Sequence, residues 1–120
     1  MEKMIFLVDD TDSILTLASS VLDEDFRVLT MMSAEKMFSL LAKKKPDLII
    51  LDVEMPDVTG FEAAQILREN EVWQDIPIIF LTGFIDDTVL TKATNLKVLG
   101  VIDKTEITTS LLSLVHELLD

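Results

Sequence analysis

What most constrains this chain is a rhythm: five short apolar runs, each followed by a stretch of helical period. Met4 to Val8 (MIFLV), Leu48 to Leu51 (LIIL) and Ile78 to Leu81 (IIFL) have no polar residue at alternate positions. Strands buried on both faces look like this, and strands with one wet face do not. Phe26 to Met31 and Val98 to Ile102 supply the second and fifth strands. Apolar residues recur at helical spacing between the runs. They are Ile14, Leu15, Ala18, Val21 and Leu22, then Ala34, Met37, Phe38, Leu40 and Leu41, then Phe61, Ala64, Ile66 and Leu67. Ile107, Leu111, Leu114, Val115 and Leu118 line a last helix, and Leu112 and Leu119 widen its stripe, as a broad buried face or as a docking face. Asp86 to Asn95 is expected to be a weaker helix, since Thr88, Val89, Thr91, Thr94 and Asn95 are mediocre helix formers.

Local signals place the boundaries. Asp12 or Ser13 is expected to cap the first helix and Ser33 the second, which Pro46 closes. Thr59 and Glu62 have the spacing of a capping box. Pro77 opens the fourth strand, where a missing N–H is tolerated. Strands alternating with helices imply a doubly wound α/β fold, a mostly parallel five-stranded sheet with helices on both faces. With no repeat or linker in view, residues 1–120 are expected to form a single domain.

Composition narrows the partners. Ten basic and 22 acidic residues give a net charge of −12, which repels nucleic-acid phosphates and anionic membranes, so neither is expected as a direct partner. Lys43 to Lys45, the one basic run, reads as a solvated helix end or loop. There is no cysteine, so disulfides, zinc–thiolate sites and cysteine nucleophiles are excluded. With no signal-peptide pattern, a cytoplasmic location is expected. His116, the lone histidine, reads as a surface residue without a base or a metal set.

The polar residues that break the pattern share one address. Asp9 and Asp10 follow the first strand, Asp52 the third, Thr82 the fourth and Lys104 the fifth. Open parallel sheets bind ligands beyond the carboxyl ends of their strands. The second strand ends in Thr30-Met31-Met32 and offers nothing comparable, so it is expected to lie to one side. Taken singly, each residue has an ordinary reading as a turn former, a cap or a solvated side chain. The joint arrangement differs, because two carboxylates ~4 Å apart repel by ~4 kcal/mol at an effective dielectric near 20. A divalent Mg²⁺, held by carboxylates and water, answers that repulsion economically, and Lys104 adds further positive charge. Such a site suits phosphoryl transfer, and a carboxylate can itself be the acceptor. The apolar third strand would then be a rigid post that presents Asp52.

The segments IFLVDD, LIILDVEMPDVTGFE, IIFLTG and GVIDKT resemble the receiver domains of bacterial two-component response regulators, and the resemblance runs over essentially the whole chain. It implies a flavodoxin-like (βα)5 fold, as in CheY, with strand order 2-1-3-4-5. It also implies that Asp52 accepts a phosphoryl group from a partner sensor histidine kinase or phosphotransfer protein. Asp10 would ligate Mg²⁺ (or Mn²⁺) directly and Asp9 through water, with the Glu54 backbone carbonyl completing the protein ligands. Thr82 and Lys104 would bind the phosphoryl oxygens, and the domain would slowly hydrolyse its own phosphate without being an enzyme toward other substrates. The implied outcome is a two-state switch that controls a downstream protein target, a fused output domain or a second copy of the chain.

Three positions depart from the family pattern. Val101 stands where receivers usually carry an aromatic switch residue, which puts that readout in question. Thr105 stands where a proline commonly follows the lysine, and without proline a cis bond there would cost roughly 3 kcal/mol, so none is expected. Glu54 lies two positions past the acceptor, beside the path of attacking water. Two other readings compete. IFLVDDTDS superficially looks like the D-x-D motif of haloacid-dehalogenase-type phosphatases, with Asp10 as nucleophile and Asp12 as acid–base, but this leaves DVEMPDVTG unexplained. The second alternative is a phosphorylation-independent interaction module with the same fold. A flavin-binding relative is disfavoured by acids where the flavin phosphate needs hydroxyls and amides.

Overall fold

A computed structural model describes residues 2–120. Five parallel strands form one sheet in the order β2-β1-β3-β4-β5, with β1 at Met4–Val8, β2 at Arg27–Met31, β3 at Leu48–Asp52, β4 at Ile78–Thr82 and β5 at Gly100–Asp103. The helices are α1 (Asp12–Leu22), α2 (Ala34–Leu41), α3 (Gly60–Glu69), α4 (Asp87–Asn95) and α5 (Leu112–Leu119). This is the flavodoxin-like order expected above. β2, the strand that ends without a reactive polar residue, sits at an edge, as its sequence suggested.

Side chains of the central strands alternate between two dry layers. Phe6, Val8, Ile49, Leu51, Ile78 and Phe80 face α2, α3 and α4. Ile5, Leu7, Leu48, Ile50, Ile79 and Leu81 face α1 and α5. All twelve are fully buried, which explains why their runs carry no polar residue. Each contributes roughly 2–3 kcal/mol by leaving water. Far from the carboxyl ends of the strands, Trp73 in the α3–β4 connection packs on Phe38 of α2, with ring centroids 5.7 Å apart.

Several boundaries differ from expectation. The first helix is capped by Thr11, one residue before Asp12 and two before Ser13, and Thr11's side chain makes no capping bond. Ser33 does cap α2, accepting from the Lys36 N–H, but α2 ends at Leu41 and so stops well before Pro46. The Thr59–Glu62 capping box is present in both directions. On α3, Ala63 is buried and Ile66 lies 44% exposed, because the helix turns Ile66 away from the sheet. The fifth strand is shorter than Val98 to Ile102 and shifted to Gly100–Asp103. The last helix opens with a wider π-type turn, Ile107–Leu111. Leu112 and Leu119 pack against the α1/α5 layer, which favours the buried reading of that stripe.

His116 lies at the surface on α5, as read, but it is not without partners. Its Nε2 lies 2.7 Å from Asp25 Oδ2 and its Nδ1 lies 2.6 Å from Asp120 Oδ2. The Phe26 ring packs against it at 4.9 Å. A sequence scan sees neither contact, since Asp25 is 91 residues away.

Candidate functional site

Period-two geometry decides what gathers at the carboxyl rim. Residues 5, 7 and 9 point to one face of β1 and its extension, as do residues 48, 50 and 52 on β3, and both sets share the α1/α5 side. Asp9 prolongs the β1–β2 ladder by donating its N–H to the Met31 carbonyl at 3.1 Å. With Val8 paired to Leu51, one more step of register sets Asp9 beside Asp52. Lys104 follows Ile102 by two residues and therefore aims the same way from β5.

The contacts follow from that placement. Lys104 Nζ lies 2.9 Å from Asp9 Oδ2 and 3.2 Å from Asp52 Oδ1. Asp52 Oδ1 also accepts the Glu54 N–H at 3.2 Å, and Asp9 Oδ1 accepts the Thr11 N–H at 2.8 Å. Asp9 and Asp52 are buried, and no aligned hydrogen bond reaches Asp9 Oδ2 or Asp52 Oδ2. The Lys104–Asp9 contact is thus one of charge at a poor bonding angle, and Asp52 Oδ2 has no hydrogen-bond partner. Burial, reinforced by the Asp9 charge, pushes the Asp52 carboxyl up from 3.8 to about 7, against the opposing pull of Lys104 and the Glu54 N–H. Burial alone would lower Lys104, but Asp9 and Asp52 outweigh it and raise the ammonium above its usual value.

Asp10 is exposed and completes the group, with one carboxylate oxygen each of Asp9, Asp10 and Asp52 within 4.8 Å of one another. Three carboxylates converging on a buried oxygen that lacks a donor form the kind of oxygen set that a hard divalent cation takes. These residues fit Mg²⁺ or Mn²⁺ on that ground. Asp12 stands outside the group as the first residue of α1, which leaves the haloacid-dehalogenase reading without its acid–base residue in place.

Thr82 is 2% exposed at the end of β4. Its hydroxyl donates to the Phe84 carbonyl at 3.1 Å and accepts the Phe84 N–H at 3.2 Å, so it is turned along its own loop. A cleft of about 290 Å³ lined by Glu54, Thr82, Phe84 and Asp86 opens beside it. The larger groove, about 480 Å³ between α3 and α4, is lined by Phe61, Ile66, Lys92 and Leu96 and includes none of the acids. Val101 is half-buried against the α2–α4 layer. No cis peptide bond occurs among the described residues, Lys104-Thr105 included.

Three supporting residues escaped the sequence reading. A Cβ on Gly60 would lie 2.3 Å from the Asp52 carbonyl oxygen and 2.8 Å from Val53 Cα, so only glycine lets α3 start against the end of β3. Asp57 Oδ2 accepts the Glu35 N–H at 3.1 Å, tying the β3–α3 loop to the start of α2. Arg68 donates to the carbonyls of Leu96, Gln74, Ile76 and Lys97 and staples the segments on either side of β4 and α4. The glycine nine residues after the LIIL run was the one visible signal among them.

Comparison with known proteins places this geometry. Residues 5–116 match the family model described as "Response regulator receiver domain". The chain belongs to the receiver family of response regulators. Receivers of this family are signalling phosphoacceptors of two-component systems. Over 84 residues this receiver is 39% identical to the transcriptional regulatory protein AfsQ1 of Streptomyces coelicolor, an alignment covering 69% of the chain and 36% of AfsQ1. Over 91 residues it is 35% identical to protein RcaC of Microchaete diplosiphon, covering 76% of the chain and 14% of RcaC. The receiver thus spans well under half the length of these curated relatives. Among solved structures, the chemotaxis protein CheY4 of Vibrio cholerae superposes with a TM-score of 0.91 at 27% identity, covering 99% of this chain and 100% of that one. The response regulator DrrB of Thermotoga maritima gives 0.88 at 27% identity, over 99% of this chain and 53% of that one. No helix among the described residues is long and apolar enough to cross a membrane.

Proposed function

We propose that residues 1–120 act as one receiver unit in which Asp52 takes a phosphoryl group with the help of Mg²⁺ or Mn²⁺. The observation that carries this reading is Asp52 itself: a buried carboxylate at a strand end, with Lys104 against one oxygen and no hydrogen-bond donor on the other. A nucleophile needs a free lone pair on a fixed support, and β3 provides the support. An oxygen of Asp52 bonds to phosphorus as the phosphorus–nitrogen bond of a donor phosphohistidine breaks, and the imidazole leaves with the electron pair. Hydrolysis reverses the gain: water attacks phosphorus, inorganic phosphate departs and the Asp52 carboxylate returns. A bound divalent cation, held by Asp10, Asp52, the Glu54 carbonyl and, through water, Asp9, would neutralise charge on the transferring group. Lys104 would pair with the phosphoryl oxygens, and Thr82 would exchange its Phe84 contacts for them.

The partners on this reading are a histidine kinase or phosphotransfer protein upstream and a protein target, a fused output domain or a second copy downstream. A cytoplasmic location fits a cysteine-free acceptor of that kind. The test is incubation with acetyl phosphate and Mg²⁺ followed by intact mass. One phosphoryl adduct is expected, lost on chelation and in Asp52→Asn. An adduct that persists in Asp52→Asn overturns the assignment.

A further inference from the structure

Lys104 has more demanded of it than any other cation in the chain. Among the described residues it is the only lysine or arginine within 4.0 Å of a carboxylate, and it meets two. A lysine held in one geometry loses about 1.5–2 kcal/mol of rotamer freedom. Its side chain is still 21% exposed, so burial alone does not hold it. The backbone that launches it must therefore be fixed.

That backbone is a single three-residue 3-10 turn, Lys104–Glu106, capped by Asp103. Asp103 Oδ1 accepts the Thr105 N–H at 2.8 Å and the Thr105 hydroxyl at 2.7 Å. Upstream, Asp103 is fixed by its register opposite Thr82 on β4. Downstream, Ile107 and Leu111 are buried in the α1/α5 layer. Both ends of the segment are anchored, and the one short path between them is set by bonds that straddle Lys104. Neither Asp103 nor Thr105 hydrogen-bonds to Asp9 or Asp52, so their contribution runs through the lysine. The two Thr105 bonds also hold the Asp103 carboxyl below its usual range, which keeps it ionised as an acceptor. A proline at 105 would remove both donors.

We propose that Asp103 and Thr105 are a positioning pair that aims Lys104 at the acidic pocket. The inference rests on the phosphoacceptor reading for its kinetic consequence. It is tested by phosphorylation rate with acetyl phosphate at saturating Mg²⁺, in a double-mutant cycle with Lys104→Met. Asp103→Ala is expected to slow phosphorylation about tenfold, the scale of a small misplacement at a reacting centre. In the Lys104→Met background Asp103→Ala should add nothing, because the group it positions is gone. Asp103→Asn, which keeps an acceptor oxygen, and Thr105→Ser, which keeps both donors, should restore most of the rate. An undiminished effect of Asp103→Ala in the Lys104→Met background overturns the proposal, as does a wild-type rate in Asp103→Ala. If the wild-type chain takes up no phosphoryl group, it is the phosphoacceptor reading that fails. The pair is then judged by a crystal structure of Asp103→Ala: Lys104 Nζ withdrawn from Asp9 and Asp52 supports it, and Lys104 Nζ unmoved overturns it.

Discussion

Gly60 carries no side chain because the backbone of Asp52 occupies the place one would take. Its N–H donates to the Val53 carbonyl at 2.7 Å, locking the start of α3 to the end of the acceptor strand. Gly60→Ala is expected to cost about 2–4 kcal/mol in chemical denaturation, since backbone must move to admit the methyl group. Asp52 makes the opposite prediction. Its folded value of about 7 lies above the 3.8 it has when free, so the folded state binds the proton more tightly than the unfolded chain does. The penalty of the buried charge is therefore fully present above about pH 7 and disappears as pH falls toward 3.8. Without metal, Asp52→Asn should stabilise the domain at pH 8 by on the order of 2 kcal/mol, with the gain vanishing near pH 4. Paired denaturation curves at the two pH values check it.

At the scale of elements, His116 joins the end of α5 to the α1–β2 loop through two carboxylates, Asp25 and Asp120. A neutral imidazole has one N–H, so holding both carboxylates requires the cation. The Asp25 and Asp120 bonds raise the His116 value above 6.5. Its stabilising contribution is complete below pH 6.5 and is lost as pH rises through the higher folded value. Nuclear magnetic resonance of the single histidine should show that raised value, and Asp25→Asn should lower it. The same scale shows what a sequence can and cannot disclose. Strands β1, β3 and β4 were legible because burial on both faces leaves an unbroken apolar run. Asp9, Asp52, Thr82 and Lys104 were legible because each interrupts or follows such a run. The loops were not: Thr11 caps α1 without a side-chain bond to mark it, and the Arg68–Leu96 and His116–Asp25 contacts join residues far apart in the chain. Ile66 misled because helical spacing tells which residues share a stripe, while the packing angle decides how wide the buried stripe is.

The whole molecule concentrates charge. A net charge of −12 on one small body makes its compact form self-repelling. Mg²⁺ should raise the melting temperature by a few degrees beyond what NaCl of equal ionic strength achieves, and Asp10→Asn should abolish the excess. Thermal scans with both salts measure it; an equal effect of the two salts on the wild type would leave the acidic group without a specific cation. The one indole has a different lesson. Trp73 leans on Phe38 beside the amino ends of the strands, roughly 15 Å of sheet away from the carboxylates. Its emission will follow the melting of the α2–α3 flank and stay silent when the far rim gains an ion or a phosphate. A fluorescence titration of this receiver therefore needs a dye or a second indole installed near the acids.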